Sequence, residues 1–203
     1  MINNTYDKRL HLKSDAYKWE FCYQQGKNKL PWIVNEVQPS LIEFVSKVKP
    51  KKVLEIGCGD GLSTNWLQLN GFDITAIDVS PTAIQMAKTK YPSVRNFLIA
   101  DIFLFESVYH YDFIFDRGCI QCFDLVNIDK CSFKISQLLQ QNGYWLSIIG
   151  KQDNKIEGPP KHKLSTISSV IENYFDIQSV ESVDLLCQNN LKYPAWAIIS
   201  KKT

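Results

Sequence analysis

Three glycines at alternate positions, Gly57, Gly59 and Gly61, close an apolar run and open a helical one in the string VLEIGCGDG, residues 53–61. A strand ending where a helix begins exposes backbone amides at a positive helix terminus, and glycines, with Cys58 between them, let a ligand come close. Roughly 20 residues on, where a carboxylate would grip ribose hydroxyls, Asp78 ends the next apolar run. The combination points to an adenosine-type cofactor. By itself it does not choose between a dinucleotide and S-adenosylmethionine. The dinucleotide fingerprint needs a glycine where Leu62 stands. Glu55 under the loop is poorly placed beside a pyrophosphate and well suited to an amino-acid ammonium group, which favours the sulfonium cofactor. Its plainer reading is a salt bridge to Lys52 or a cap.

A second reactive group, Asp116, Arg117, Gly118 and Cys119, ends the run YDFIFD. Strand ends of this kind form the ligand edge of open α/β sheets. Asp116 ends a strand too apolar inside to hold an unpaired carboxylate, and Arg117 can pair with it or with an anionic or polarisable substrate. Asp116 and Arg117 are therefore the candidate catalytic residues, with a purely structural ion pair as the alternative. Methyl transfer from positive sulfur needs positioning and exclusion of water more than a strong base. Cys119 is not needed as a nucleophile. Cys119, Cys122 and Cys131 include a C-x-x-C spacing but lack a second pair or a nearby histidine, so no metal is expected.

Elements must hold these residues in place. Apolar runs alternate with helical patterns from Lys52 onward, the signature of a parallel sheet wound by crossover helices. Strands are expected at 52–57, 72–78, 94–101, 111–116 and 143–149, and helices at 62–70, from Ser80 and Pro81 to Tyr91, and at 129–141. Ser80 is a natural cap and Pro81 suits a first helical turn. Then come a polar loop with Gly158, Pro159 and Pro160, a helix near 165–174, and strands near 175–183 and 195–200 that should pair antiparallel. The fold class is α/β: a three-layer, doubly wound, seven-stranded sheet, mostly parallel with an antiparallel final strand. One domain over residues 1–203 is expected, with a helical cover (1–50) over the sheet's carboxyl edge, a cofactor-binding core (51–150) and a substrate-side loop, helix and strand pair (151–203).

The chain has 203 residues and a formal charge of +2, too mild to indicate a nucleic-acid partner. No run approaches the ~20 apolar residues that cross a bilayer. Six scattered cysteines and the absence of an apolar signal core point to the cytoplasm. Only Arg9, Arg95 and Arg117 are arginines among 23 basic residues, which suggests an AT-rich, bacterial genome.

VLEIGCGDG and the following AIDVSPTAIQMA resemble the first two motifs of class I S-adenosylmethionine-dependent methyltransferases, over about residues 51–200. The resemblance implies their Rossmann-like fold, S-adenosyl-L-methionine as cofactor and S-adenosyl-L-homocysteine as product. By it, Glu55, Gly57, Cys58, Gly59 and Gly61 meet the methionine part, Asp78 the ribose, Val79 the adenine face, and Asp101 with Ile102 the adenine ring. A turn cap is the plainer reading of Asp101. Asp116, Arg117, Gly118 and Cys119, the Pro31–Trp32 pair and Gly158 to Pro160 are similar to a small-molecule branch that includes thiopurine S-methyltransferases and tellurite-resistance proteins. Trp32 would then cover the cofactor, Asp116 adjoin it and Arg117 face the substrate. No arginine follows Arg117, where thiopurine enzymes are expected to use one. A small-molecule acceptor of open identity, in a monomer or homodimer, is expected. The competing readings are a cofactor-binding module or partner-dependent subunit without activity of its own, and an NAD-dependent oxidoreductase.

Overall fold

The strands assemble into one sheet in the order β3-β2-β1-β4-β5-β7-β6: β1 (Lys52–Ile56), β2 (Asp73–Asp78), β3 (Phe97–Ile99), β4 (Tyr111–Arg117), β5 (Leu139–Gly150), β6 (Phe175–Leu186) and β7 (Lys192–Lys202). The first five pair in parallel, and β7 runs antiparallel to both β5 and β6. This computed structural model describes residues 8–26, 30–151 and 162–203. The Gly158 to Pro160 segment lies outside them.

Alternation along the strands sends side chains to two faces. Val53, Phe113, Phe115, Leu146 and Ile148 meet Leu41, Phe44 and Val45 of α2 (Pro39–Val48) and Leu67 of α3 (Leu62–Leu69). Ala76 meets Ile84 and Ala87 of α4 (Pro81–Lys90). On the other face Leu54, Ile56, Ile114 and Trp145 meet α5 (Leu125–Leu138) and α6 (Leu164–Ile171). Each fully buried aliphatic or aromatic side chain contributes about 1.5 to 3 kcal/mol, so these faces fix the register and with it the strand ends.

Several boundaries differ from the sequence expectation for local reasons. Strand β3 is three residues long, because Asp101 turns the chain by accepting the Phe103 N–H at 2.9 Å. Helix α5 starts at Leu125, since Asp124 caps it by accepting the Asn127 N–H at 2.8 Å. β6 and β7 extend into a long hairpin turned at Asn189 and Asn190, both at positive φ. Ser80 does cap α4, accepting the Ala83 N–H at 3.0 Å. The expected helical cover divides. α1 (Lys8–Gln24) lies at the carboxyl edge, where Ala16, Trp19 and Tyr23 face a cavity, whereas α2 packs on a sheet face.

Candidate active site

Strand order reverses between β1 and β4, and a cavity of about 400 Å3 opens outside their carboxyl ends, where open α/β sheets bind ligands. Of the residues singled out from the sequence, Trp32, Glu55, Gly57, Cys58, Gly59, Asp78, Val79, Asp101, Ile102 and Arg117 line it. Gly61 and Asp116 do not.

The glycine loop is shaped as a cradle. Gly57 and Gly59 hold φ of 67° and 55°; a Cβ on Gly59 would lie 2.8 Å from the Tyr23 hydroxyl, and one on Gly57 3.0 Å from the Cys119 Sγ. Gly61 serves packing instead: a Cβ there would meet the Phe97 ring at 2.5 Å. The open cradle and the adjoining carboxylates fit the methionine and ribose parts of S-adenosylmethionine, and the buried Arg117 Nε beside them has no partner among the described residues.

Glu55 is buried and accepts a hydrogen bond from the Thr64 hydroxyl rather than pairing with Lys52. Burial, opposed by Thr64 and reinforced by the nearby Asp60 and Asp78, lifts its pKa to about 8. Asp78 accepts the Gly59 N–H at 3.0 Å and the Ser80 N–H at 2.9 Å, tying loop to strand, and burial raises its pKa to about 6. Its remaining lone pairs are available to hydroxyl donors.

The Asp116–Arg117 ion pair, the structural alternative for these two residues, is not formed, and the expected place of Asp116 beside the cofactor is corrected, since it does not line the cavity. Asp116 is fully buried, accepting the Trp145 Nε1–H at 3.0 Å and the Ile120 N–H at 3.2 Å, and burial raises its pKa to about 6. Alternation turns it into the α5 face of the sheet, where it shapes the turn after β4. Asp116→Asn should flatten the fall in stability that wild type shows as pH rises through about 6, because the amide has no proton to lose. Urea unfolding at about pH 5 and about pH 8 measures this; an unaltered pH dependence would show that the Asp116 carboxyl does not set it.

Arg117 reaches the other way. Its Nη1 donates to the Trp32 carbonyl at 3.2 Å and its Nη2 to the Leu186 carbonyl, which pins the lid (residues 30–36) and the hairpin end together. The Gln188 N–H adds a bond to the Pro31 carbonyl at 2.7 Å. Burial lowers the guanidinium pKa.

The lid rests on α1, part of the helical cover expected over the sheet edge, through residues that sequence reasoning did not name. Trp32 Nε1 donates to the Tyr23 hydroxyl at 3.0 Å, and the Trp32 ring meets that of Trp19 edge-on at 5.4 Å. Helix α1 is fastened in turn to the start of α4: Glu20 accepts from the Ser80 and Thr82 hydroxyls, both at 2.6 Å, and from the Thr82 N–H. Burial opposes the ionised form, but these bonds outweigh it and hold Glu20 at about 2. Trp19 and Tyr23 stand four apart, on one helix face, a signal common to any core-facing helix. Lys151 also lines the cavity, stacked over Trp196 at 3.7 Å, as does Gln121, which accepts the Gly150 N–H at 2.6 Å. Cys119, Cys122 and Cys187, none of them in a disulfide, also line the wall.

Comparison with known proteins bears on the family and the fold. The family model of thiopurine S-methyltransferase (TPMT) matches residues 14–201. A probable thiol methyltransferase 2 of Arabidopsis thaliana is 23% identical over 159 residues, 75% of this chain and 70% of that protein. The matched stretches cover only 26% and 35% of the next two methyltransferase relatives. Among solved structures, the protein from work on converting a disulfide bond into a thioacetal group during echinomycin biosynthesis superposes with a TM-score of 0.80 at 18% identity, covering 93% of each chain. Magnesium protoporphyrin IX methyltransferase of Synechocystis PCC 6803, crystallised with S-adenosylmethionine, gives 0.70 at 13% identity over all of both chains. At these identities the structures speak for the fold. No described helix is long and apolar enough to cross a membrane.

Proposed function

The chain belongs to the thiopurine S-methyltransferase family and is an S-adenosylmethionine-dependent methyltransferase, and on that premise we propose that it transfers the methyl group by direct in-line displacement to a small thiol, taken up as the thiolate. The supporting observation is a division of charge along the sheet edge. Glu55, Asp60, Asp78 and Asp101 stand at the β1, β2 and β3 ends of the cavity, and Arg117 and Lys151 at the β4 and β5 ends. A cationic cofactor suits the first half and an anionic acceptor the second.

When bound, the cofactor supplies a methyl carbon activated by a positive sulfur. The residues of the chain position, shield and neutralise. The glycine cradle and Asp78 orient the donor, and Trp32 and Tyr23 cover it. Arg117 and Lys151 favour the thiolate, the nucleophilic form of a thiol, by lowering its pKa. A thiolate taken up there would arrive already deprotonated and the products would be two neutral thioethers, so no protein base is required. A polarisable selenium or tellurium anion would satisfy the same charges. The acceptor is a small molecule, and the reading needs neither nucleic acid nor a membrane.

A panel of small thiols, amines and carboxylic acids, scored by S-adenosylhomocysteine formed, tests this. Thiols are expected to turn over at least tenfold faster than the other classes. Turnover confined to amines or carboxylic acids would refute the thiolate assignment.

A further inference from the structure

Gln121 sits on the short turn Ile120–Cys122 that follows β4, and it lines the cofactor cavity half-buried. Its side chain is seated between glycines at two neighbouring strand ends. Gly150 closes β5, and its N–H donates to the Gln121 Oε1 at 2.6 Å; a Cβ on Gly150 would lie 3.1 Å from that oxygen. Gly118 follows β4, and a Cβ there would lie 3.4 Å from the Gln121 Nε2. Because the Gly150 N–H needs an acceptor, the bond fixes which end of the amide is oxygen and which is nitrogen. The oxygen is occupied. The nitrogen is a donor only, and it has no partner among the described residues.

The cations at this end of the cavity are more heavily engaged. Arg117 Nη1 and Nη2 each donate to a backbone carbonyl, and Lys151 Nζ lies over the Trp196 ring and donates to the Ser182 hydroxyl at 2.6 Å. They supply positive potential while their terminal nitrogens hold the lid and the β6–β7 hairpin.

We propose that Gln121 contacts the reacting group of the methyl acceptor: its Nε2–H donates to the acceptor sulfur and holds it in place, while Arg117 supplies the charge. The assignment rests on the thiolate reading of the acceptor. A thiolate sulfur has lone pairs to spare, so one accepts from Gln121 while another is directed at the methyl carbon. The bond to Gly150 orients the amide before the acceptor arrives, so little freedom is lost when the contact forms. A neutral thioether accepts weakly from an N–H, so the methylated product is held less firmly than the thiolate.

The test is binding to the complex with S-adenosylhomocysteine, read by fluorine NMR at about pH 9, where trifluoroethanethiol is ionised. Its S-methyl thioether is the neutral second probe. Wild type is expected to bind the thiolate at least about tenfold more tightly than the thioether. Gln121→Glu keeps an oxygen for the Gly150 N–H and has no N–H to give; Gln121→Met is neutral and has neither. Both should lose most of the preference and keep wild-type affinity for S-adenosylhomocysteine, measured by calorimetry, which shows that they are folded. Glutamate adds a charge and methionine removes the Gly150 bond, so only loss of the donor is common to the two. A preference that either variant retains overturns the Gln121 contact and leaves the thiolate reading standing. Equal binding of the two probes by wild type overturns both. A matching loss of S-adenosylhomocysteine affinity in both variants would assign the amide to the cofactor instead and overturn the acceptor contact.

Discussion

Arg117→Ala is expected to lower kcat/KM by about 100-fold, equivalent to about 2.7 kcal/mol of lost transition-state stabilisation. The size reflects the contacts of the guanidinium. It donates to the Trp32 carbonyl in the lid and the Leu186 carbonyl at the hairpin end, and it lines the cavity with its Nε unpartnered among the described residues. Hydrogen bonds from a charged donor contribute about 1.5 to 3 kcal/mol each. Alanine removes two, together with the charge that favours a thiolate. The closure that excludes water and the field that holds the acceptor are therefore lost together. Arg117→Lys should recover only part of the activity, since an ammonium is a compact charge that cannot bridge two carbonyls as a planar fork does. Steady-state kinetics should show the fall in kcat, and hydrogen exchange should show faster exchange at Ile33, the lid amide bonded to the Leu30 carbonyl. Unaltered turnover in the alanine variant would demote Arg117 to packing.

The glycine loop is legible in the sequence because its chemistry is local: strand, loop and helix are contiguous, and the carboxylate of Asp78 ends the next strand. The same holds for the α4 cap, where Ser80 and Pro81 act within one turn. Asp116 and Arg117 can be placed at a strand end from the sequence, but their partners cannot. Adjacent residues on a strand point to opposite faces, so an Asp116–Arg117 pair is the one arrangement that alternation disfavours. Trp145, whose indole meets Asp116, is 29 residues away, and Leu186, whose carbonyl receives Arg117, is 69 away. The lid is harder still. Glu20 meets Ser80 and Thr82 across about 60 positions, and nothing near Glu20 in the chain marks it as the fastener of a second helix. Contacts of this kind are set by how α1 crosses the sheet edge, a property of the whole fold. The hairpin wall resembles two short strands in sequence because the residues beyond them, from Asp184 to Pro194, are polar and exposed in places and carry no clean alternation.

Glu55→Gln should separate stability from function in opposite directions. In the cofactor-free protein burial holds the Glu55 carboxyl at about 8, far above the ordinary carboxylate range. A raised folded pKa means that the protonated form folds more favourably. That contribution is full below the unfolded pKa and is lost as pH rises through about 8. Glutamine keeps an acceptor for the Thr64 hydroxyl and has no proton to lose. The cofactor-free variant should therefore be more stable than wild type by about 3 kcal/mol at about pH 9, with little difference near about pH 5. Cofactor binding runs the other way. A ligand bearing an ammonium and a sulfonium favours the carboxylate, so binding to wild type releases a proton and weakens as pH falls: Kd should be about tenfold higher near about pH 7 than near about pH 9. Glutamine offers the ammonium no charge, so the variant should bind S-adenosylmethionine about 10- to 100-fold more weakly at the higher pH and lose the pH dependence that Glu55 imposes. Calorimetry across this range, paired with thermal unfolding of the cofactor-free proteins, reads both effects. A variant that binds as tightly as wild type would take Glu55 out of the cofactor site, and one that is destabilised at high pH would show the carboxylate to be a structural anchor. A fold made firmer by the very change that empties its site would mean that Glu55 is retained for the cation it meets, at a cost in stability that the cofactor offsets on binding.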